Sequence, residues 1–270
     1  MKQQQRDLSG IKGILIDVDG TLVNTKKEVS AQTKKHLHRL INKGYKLGVC
    51  TGRSYPDLKN SILNLFPKNS LHIVDDGGLI INQQGKVLYG SYLPGKLVKK
   101  ICKNILEMGG DFGFAHGGVK YYNQPFLAHM QSKDKWRKAI GEPDMLKDWS
   151  TPCLGLYNIN HKIENYLKQL KENGVKIVGS KSDKYASTFL KVEGKNVNKG
   201  TAAIKWAEFN NLEMRQIMML GDSYNDLEVM KLVGVAVAMG NSVKEIKEVA
   251  NIVVKDVDHN GLSKFLAQLN

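Results

Sequence analysis

A six-residue run, Ile11-Lys12-Gly13-Ile14-Leu15-Ile16, stops abruptly on the acidic Asp17. A nearly unbroken apolar run of this length suits a strand covered on both faces, the condition met in a parallel sheet flanked by helices. The polar turn Asp17-Val18-Asp19-Gly20-Thr21 follows. Residues 30–42 then place Leu37, Leu40 and Ile41 at helical spacing, with Ser30 at the N-cap position. Gly44 closes that helix. A second strand is predicted over residues 45–50, halted by Thr51-Gly52-Arg53. A helix over residues 55–65 and a short strand over 71–74 complete a β-α-β-α-β alternation, the pattern of a doubly wound sheet.

The pattern then changes. Residues 79–90 read as a hairpin turning at 83–85, and residues 94–108 as a helix. Residues 109–152 are rich in Gly, Lys and aromatics and show only short segments. The α/β rhythm returns as a helix (201–210), a strand (216–220), a helix (225–232), a strand (234–239), a helix (243–250) and a strand (251–254). The expectation is an α/β protein with a Rossmann-like parallel-sheet core, discontinuous over 1–83 and 188–270, and an inserted α+β domain over 84–187. A chain of 270 residues is long enough to bury two such cores.

Composition narrows the function. No stretch approaches the roughly 20 apolar residues of a membrane span. The opening MKQQQRDLSG lacks the apolar segment of a signal peptide, so a cytoplasmic protein is expected. Cys50, Cys102 and Cys153 form no CxxC pair and fit free thiols in a reducing compartment. The net charge of +14 is spread along the sequence, without the interleaved aromatics of an RNA-binding sheet. A solvated basic surface is therefore preferred to a nucleic-acid partner, and it favours encounter with small phosphorylated molecules.

Three apolar strands end in polar clusters: Asp17 to Thr21, Thr51 to Arg53, and Gly221-Asp222 through Asn225-Asp226. Ligands of open parallel sheets bind beyond the carboxyl ends of the strands. If the three strands are neighbours, Asp17, Asp19, Asp222 and Asp226 meet at one place and need a compensating cation. Mg²⁺ is the natural one, a hard ion that takes carboxylates, waters and a substrate phosphate. Thr51, Gly52 and helix-starting amides are donors of the kind phosphate needs. The seven histidines show no zinc-ligand spacing, and no GxxxxGK[ST] loop is present.

These clusters resemble, in order, the four motifs of the haloacid dehalogenase superfamily. Asp17-Val18-Asp19-Gly20-Thr21-Leu22 is similar to its DxDGT[LV] motif. Leu47 to Arg53 (LGVCTGR) resembles the second, Asn198-Lys199-Gly200 the third and Gly221 to Asp226 (GDSYND) the fourth. The long gap from Arg53 to Lys199 resembles the Cof-type (class IIB) branch with its large cap, and the tail VAMGNSVKEIKEVANIVV is similar to that branch as well. The resemblance implies a phosphatase acting on small phosphate monoesters, with a cap that closes over the site and carries substrate choice. It makes Asp17 the nucleophile and Asp19 the general acid/base. Mg²⁺ would be ligated by Asp17, the backbone carbonyl of Asp19, and Asp222. Thr51, the Gly52 amide and Asn225 would hold the phosphoryl group, Lys199 would neutralise growing charge, and Asp226 would orient Lys199 or metal-bound water. Arg53 is left open between gripping substrate and an ordinary surface pairing.

One position departs from the branch: Asp76-Gly77-Gly78 stands where Asn-Gly-Ala is common, and it places an acid at the mouth of the site. The sequence allows that acid to repel highly anionic substrates, or to sit against Arg53 or a cap lysine. His116, Lys120, Tyr121, Trp136 and Arg137 are substrate-facing candidates by composition alone, and cap surface or core is the preferred reading of them. Two other functions are carried as alternatives. A phosphomannomutase-like phosphomutase shares this core and cap style, and a non-catalytic basic binding module would have no need of the full Asp17, Asp19, Thr51, Lys199 and Asp222 set.

Overall fold

A computed structural model describes residues 8–129, 137–140, 146–172, 174–180 and 189–269. By their contacts the residues fall into two units, one of Met1–Arg53, Asp57–Tyr89 and Asn198–Asn270, the other of Ser54–Pro56 and Gly90–Val197.

The first unit carries a five-stranded sheet in the order Ile252–Val253, Val235–Ala238, Ile217–Gly221, Gly13–Ile16, Lys46–Val49, every pairing parallel. Gly13–Ile16 sits inside it with all four residues buried, the environment its unbroken apolar run requires. Leu71–Val74 continues beyond Lys46–Val49 through the parallel bridge Cys50–Ile73. It also opens a three-stranded sheet with Leu79–Asn82 and Val87–Gly90. Buried His72 helps join the two strands, because its Nδ1 accepts from the Val49 amide at 3.3 Å. Trp206, fully buried on the helix Lys199–Phe209, lies across the sheet and donates its indole N–H to the Leu71 carbonyl at 2.8 Å. Gly48 makes room for it: a Cβ there would lie 2.2 Å from the Leu71 carbonyl oxygen and 3.0 Å from the indole nitrogen.

Local signals operate as physical chemistry predicts. Ser30 caps the helix Ala31–Asn42 by accepting from the Thr33 amide at 3.1 Å. The helix expected over residues 55–65 is a correction. It stops after one turn, Tyr55–Leu58, and a separate 3₁₀ turn forms at Leu63–Leu65. Asn60 and Ser61, short polar residues that favour turns over helix interiors, lie in the break. A helix over Gly261–Leu266 was not foreseen; Asn260, at φ 58°, turns the chain into it.

The second unit is α+β. Its six-stranded sheet runs Val175–Ser180, Phe189–Gly194, Cys153–Tyr157, Asp111–His116, Val119–Asn123, Arg137–Ile140. All pairings are antiparallel except the last. Val98, Ile101 and Ile105 from Gly95–Glu107 and Ile163 and Leu167 from His161–Glu172 join Phe112, Phe114, Leu154 and Leu156 of the sheet in one core. Phe189–Gly194 belongs to this sheet, so the unit runs on to Val197, past the expected boundary at Ser187. Ser187 and Trp136 lie outside the described residues. Of the other substrate-facing candidates, Tyr121 packs its ring on Phe114 at 5.8 Å, His116 meets the Ser150 carbonyl at 2.9 Å, and Lys120 pairs in register with Arg137. Among the described residues, Cys50, Cys102 and Cys153 form no disulfide. Among the described residues no helix is long and apolar enough to cross a membrane.

Candidate active site

The site lies at the carboxyl ends of Gly13–Ile16, Ile217–Gly221 and Lys46–Val49, where adjacent parallel strands deliver Asp17, Asp222 and Thr51 side by side. Lys199 is its buried centre. The lysine is the first residue of its helix, and Asn198 caps that helix by accepting from the Thr201 amide at 2.7 Å. Its ammonium donates to Asp17 Oδ1 at 2.7 Å and to Asp226 Oδ1 at 2.6 Å, with 1% of the lysine exposed. The second Asp226 oxygen accepts from the Asp222 amide at 3.1 Å and the Ser223 amide at 3.2 Å. Asp226 is therefore committed on both oxygens. Asp17 spends one oxygen on Lys199, and its other takes no hydrogen bond among the described residues.

Burial is the leading influence on Asp17, Lys199 and Asp222. It pushes Asp17 well above the usual carboxylate range; Lys199 works against this, but its charge is shared with Asp226, whose own charge pushes Asp17 up again. Burial would lower Lys199, yet the carboxylates of Asp17 and Asp226 outweigh it and hold the ammonium well above its ordinary value. Asp222 is pushed up to about 6, by burial and then by the charge of Asp226. Its oxygens accept from the Thr21 hydroxyl at 3.1 Å and the Asn241 amide at 3.2 Å. Gly20, at φ +80°, folds tightly under this carboxylate: a Cβ there would lie 2.4 Å from Asp222 Oδ2.

Asp17, Asp222 and Asp226 bring one carboxylate oxygen each to within 4.8 Å of the others. Three carboxylates around one ammonium leave excess negative charge in a buried place. Hard oxygen donors with that excess fit a magnesium ion. The Asp19 side chain is not in this cluster. It turns to Arg53, which grips it with Nε at 2.7 Å and a terminal nitrogen at 2.6 Å, and Lys27 approaches at 3.4 Å. Burial would raise Asp19, but the hydrogen bonds and charge of Arg53 prevail and hold it below the usual carboxylate range. Arg53, left open by the sequence, forms a bidentate pair with Asp19 in this structure.

Thr51 is buried, and its hydroxyl accepts from the Arg53 amide at 3.2 Å. Gly52 lies against Asp76: a Cβ on it would meet the carboxylate oxygens at 2.7 and 2.9 Å. Asp76 accepts from the Asn225 side-chain amide at 2.8 Å. It is this asparagine, rather than Arg53, that the structure sets against the departing acid. Three site residues escaped sequence reasoning: Thr21 and Asn241 on Asp222, and Lys27 on Asp19. Asn241 follows the apolar strand Val235–Ala238 as the other polar clusters follow theirs, which is the signal that marks it.

A family model for haloacid dehalogenase-like hydrolases matches residues 14–266. A 5-amino-6-(5-phospho-D-ribitylamino)uracil phosphatase of Bacillus subtilis is 27% identical, covering 96% of this chain and 98% of its own. HMP-PP phosphatase of Yersinia pestis is also 27% identical, over 86% of this chain and 85% of its own. A haloacid dehalogenase-like hydrolase from Bacteroides thetaiotaomicron shares the fold, with a TM-score of 0.82, 22% identity, and coverage of 96% of this chain and 99% of that one.

Proposed function

Because the chain belongs to the haloacid dehalogenase-like hydrolases, we propose that it is a magnesium-dependent phosphatase that hydrolyses small phosphate monoesters, sugar phosphates or similar metabolites, through an aspartyl-phosphate on Asp17. The observation that carries the reading is the buried Lys199 bridging Asp17 and Asp226 beside Asp222. A binding surface has no need of a fully buried ammonium whose isolation costs several kcal/mol unless it is paired. A phosphoryl-transfer site does, since charge grows there as the reaction proceeds. The phosphatase names of the Bacillus and Yersinia relatives support small phosphorylated substrates.

In this mechanism the uncommitted oxygen of Asp17 attacks phosphorus, and the ester P–O bond breaks as the aspartyl-phosphate forms. Asp19 gives its proton to the departing alcohol. It then removes a proton from the water that cleaves the acyl phosphate, releasing inorganic phosphate and regenerating the Asp17 carboxylate. Lys199 balances charge on the transferring group, while Thr51, the Gly52 amide and Asn225 hold its oxygens. Asp226, committed to Lys199 and two amides, fixes the ammonium in place. Asp17, the Asp19 carbonyl and Asp222 would hold the magnesium ion, which supplies positive charge against the phosphoryl oxygens. The Arg53 clamp keeps Asp19 ionised, so it has to open before Asp19 can carry a proton. A substrate phosphate competes for the same guanidinium.

The test is phosphate release from a panel of phosphorylated metabolites, in Mg²⁺ and in EDTA, beside Asp17→Asn. Metal-dependent release that falls by a factor of roughly 10³ or more in the variant is expected. Interconversion of hexose phosphates without net release would establish the mutase alternative instead.

A further inference from the structure

The loop Asp75-Asp76-Gly77 is held in an uncommon shape. All three residues have positive φ, at 52°, 54° and 94°. Backbone bonds pin it to the second strand-end cluster, from the Asp75 amide to the Arg53 carbonyl at 3.0 Å and from the Asp76 amide to the Thr51 carbonyl at 3.1 Å. Gly77 presses so closely on the segment bearing Lys199 that a Cβ would lie 2.1 Å from the Asn198 carbonyl oxygen. The fold thus fixes the Asp76 carboxylate, 9% exposed, against Gly52 and under Asn225, between two of the groups assigned to the phosphoryl oxygens. Asn225 is an exposed side chain with both ends of its amide engaged: Nδ2 donates to Asp76 at 2.8 Å, and Oδ1 accepts from the Ser223 hydroxyl at 3.3 Å. A carboxylate can only accept, so Asp76 admits one orientation of that amide. An asparagine at the same position would make the same hydrogen bond without the charge.

We propose that Asp76 is a positioning residue that orients Asn225 while its charge holds down the site's affinity for the phosphate dianion. The inference rests on the phosphatase reading above. The negative charge sits beside donors that would otherwise grip inorganic phosphate, the product of every turnover. Repulsion of this kind acts on bound substrate and product alike, which keeps the site from being filled by its own product. A unit charge a few ångströms from the dianion, at the effective dielectric of a partly buried site, changes phosphate affinity by about tenfold or more.

The experiment compares wild type, Asp76→Asn and Asn225→Ala in saturating Mg²⁺. It reads the inhibition constant of inorganic phosphate, its Kd by calorimetry, and KM against kcat for one phosphomonoester. Asparagine tolerates the left-handed backbone at this position, so the variant retains the loop; a thermal melt checks this. The expected result is that Asp76→Asn tightens inorganic phosphate about tenfold and lowers KM by a similar factor, with kcat moving less. Asn225→Ala moves both constants the opposite way. If Asp76→Asn leaves phosphate binding unchanged, or weakens it as Asn225→Ala does, Asp76 is only a scaffold for the asparagine and the inference falls. A wild-type protein that neither binds phosphate nor hydrolyses any ester would instead defeat the phosphatase reading itself.

Discussion

Replacing Lys199 by Met probes the site's electrostatics without touching the nucleophile. Methionine fills nearly the same volume, so the change removes one charge and two charge-assisted hydrogen bonds, those at 2.7 Å to Asp17 and 2.6 Å to Asp226. Both carboxylates are then buried with no counter-charge, beside a third in Asp222. Removing one partner of a buried ion pair costs about 3–5 kcal/mol. For a protein of this size that lowers the melting temperature by roughly 6–20 °C. The loss carries a pH signature. Without the ammonium, Asp17, already pushed up by burial, takes up a proton still more readily when folded than when unfolded. The variant's stability is therefore fullest below the unfolded carboxylate pKa and falls as pH rises through the folded one. Urea denaturation in EDTA at pH 5, 6 and 7 should show a deficit that widens with pH. Adding Asp226→Asn to Lys199→Met should restore at least about 1 kcal/mol, because it removes one of the stranded charges. A single variant within 1 kcal/mol of wild type at pH 7, or a deficit that shrinks with pH, would refute the reasoning.

Three further outcomes follow from the geometry. Asp222, pushed up to about 6, must lose its proton to bind metal; Mg²⁺ affinity measured by calorimetry should fall as pH drops below about 6, by up to roughly tenfold per unit, whereas a constant affinity from pH 7 to 5 contradicts the assignment. Buried His72 is held down to about 3 by desolvation, so between pH 6.5 and 3 the unfolded chain binds a proton that the folded one refuses. Wild type should lose up to about 1.4 kcal/mol per pH unit relative to His72→Asn over that window, and parallel pH–stability curves would count against it. Gly20→Ala puts a methyl 2.4 Å from Asp222 Oδ2 at a left-handed backbone position; denaturation should show a loss of at least about 1–2 kcal/mol, and an unchanged midpoint would mean the turn is looser than described.

The core strands were legible because a parallel sheet buries both faces of each strand, so the runs before Asp17, Thr51 and Asp222 are apolar without alternation and their ends are sharp. The Ser30 cap was legible because it is local chemistry. What escaped depends on distant partners. The sequence offered Arg53 either a substrate or a surface partner; that it clamps Asp19 depends on how two strand-end loops meet. Asp76 was visible as a departure, but its pairing with Asn225 spans 149 residues. Phe189–Gly194 alternates Leu190 and Val192 with charged Lys191 and Glu193, and only its pairing with Cys153–Tyr157 assigns it to the second unit. Asn241 is marked by its place after an apolar strand, but its partner is not: it lies across Gly20 and Asp222, donating to the Gly20 carbonyl at 2.9 Å across 221 residues of sequence.

The central claim is that Asp17 carries the phosphoryl group, and acid-quenched single turnover tests it most directly. Enzyme, Mg²⁺ and a hydrolysed ester bearing radiolabelled phosphate are mixed and quenched within milliseconds, and the labelled peptide is identified by mass spectrometry. The account predicts transient label on the peptide containing Asp17, and none with Asp17→Asn. Label on another residue, or phosphate release that survives in Asp17→Asn, would contradict it.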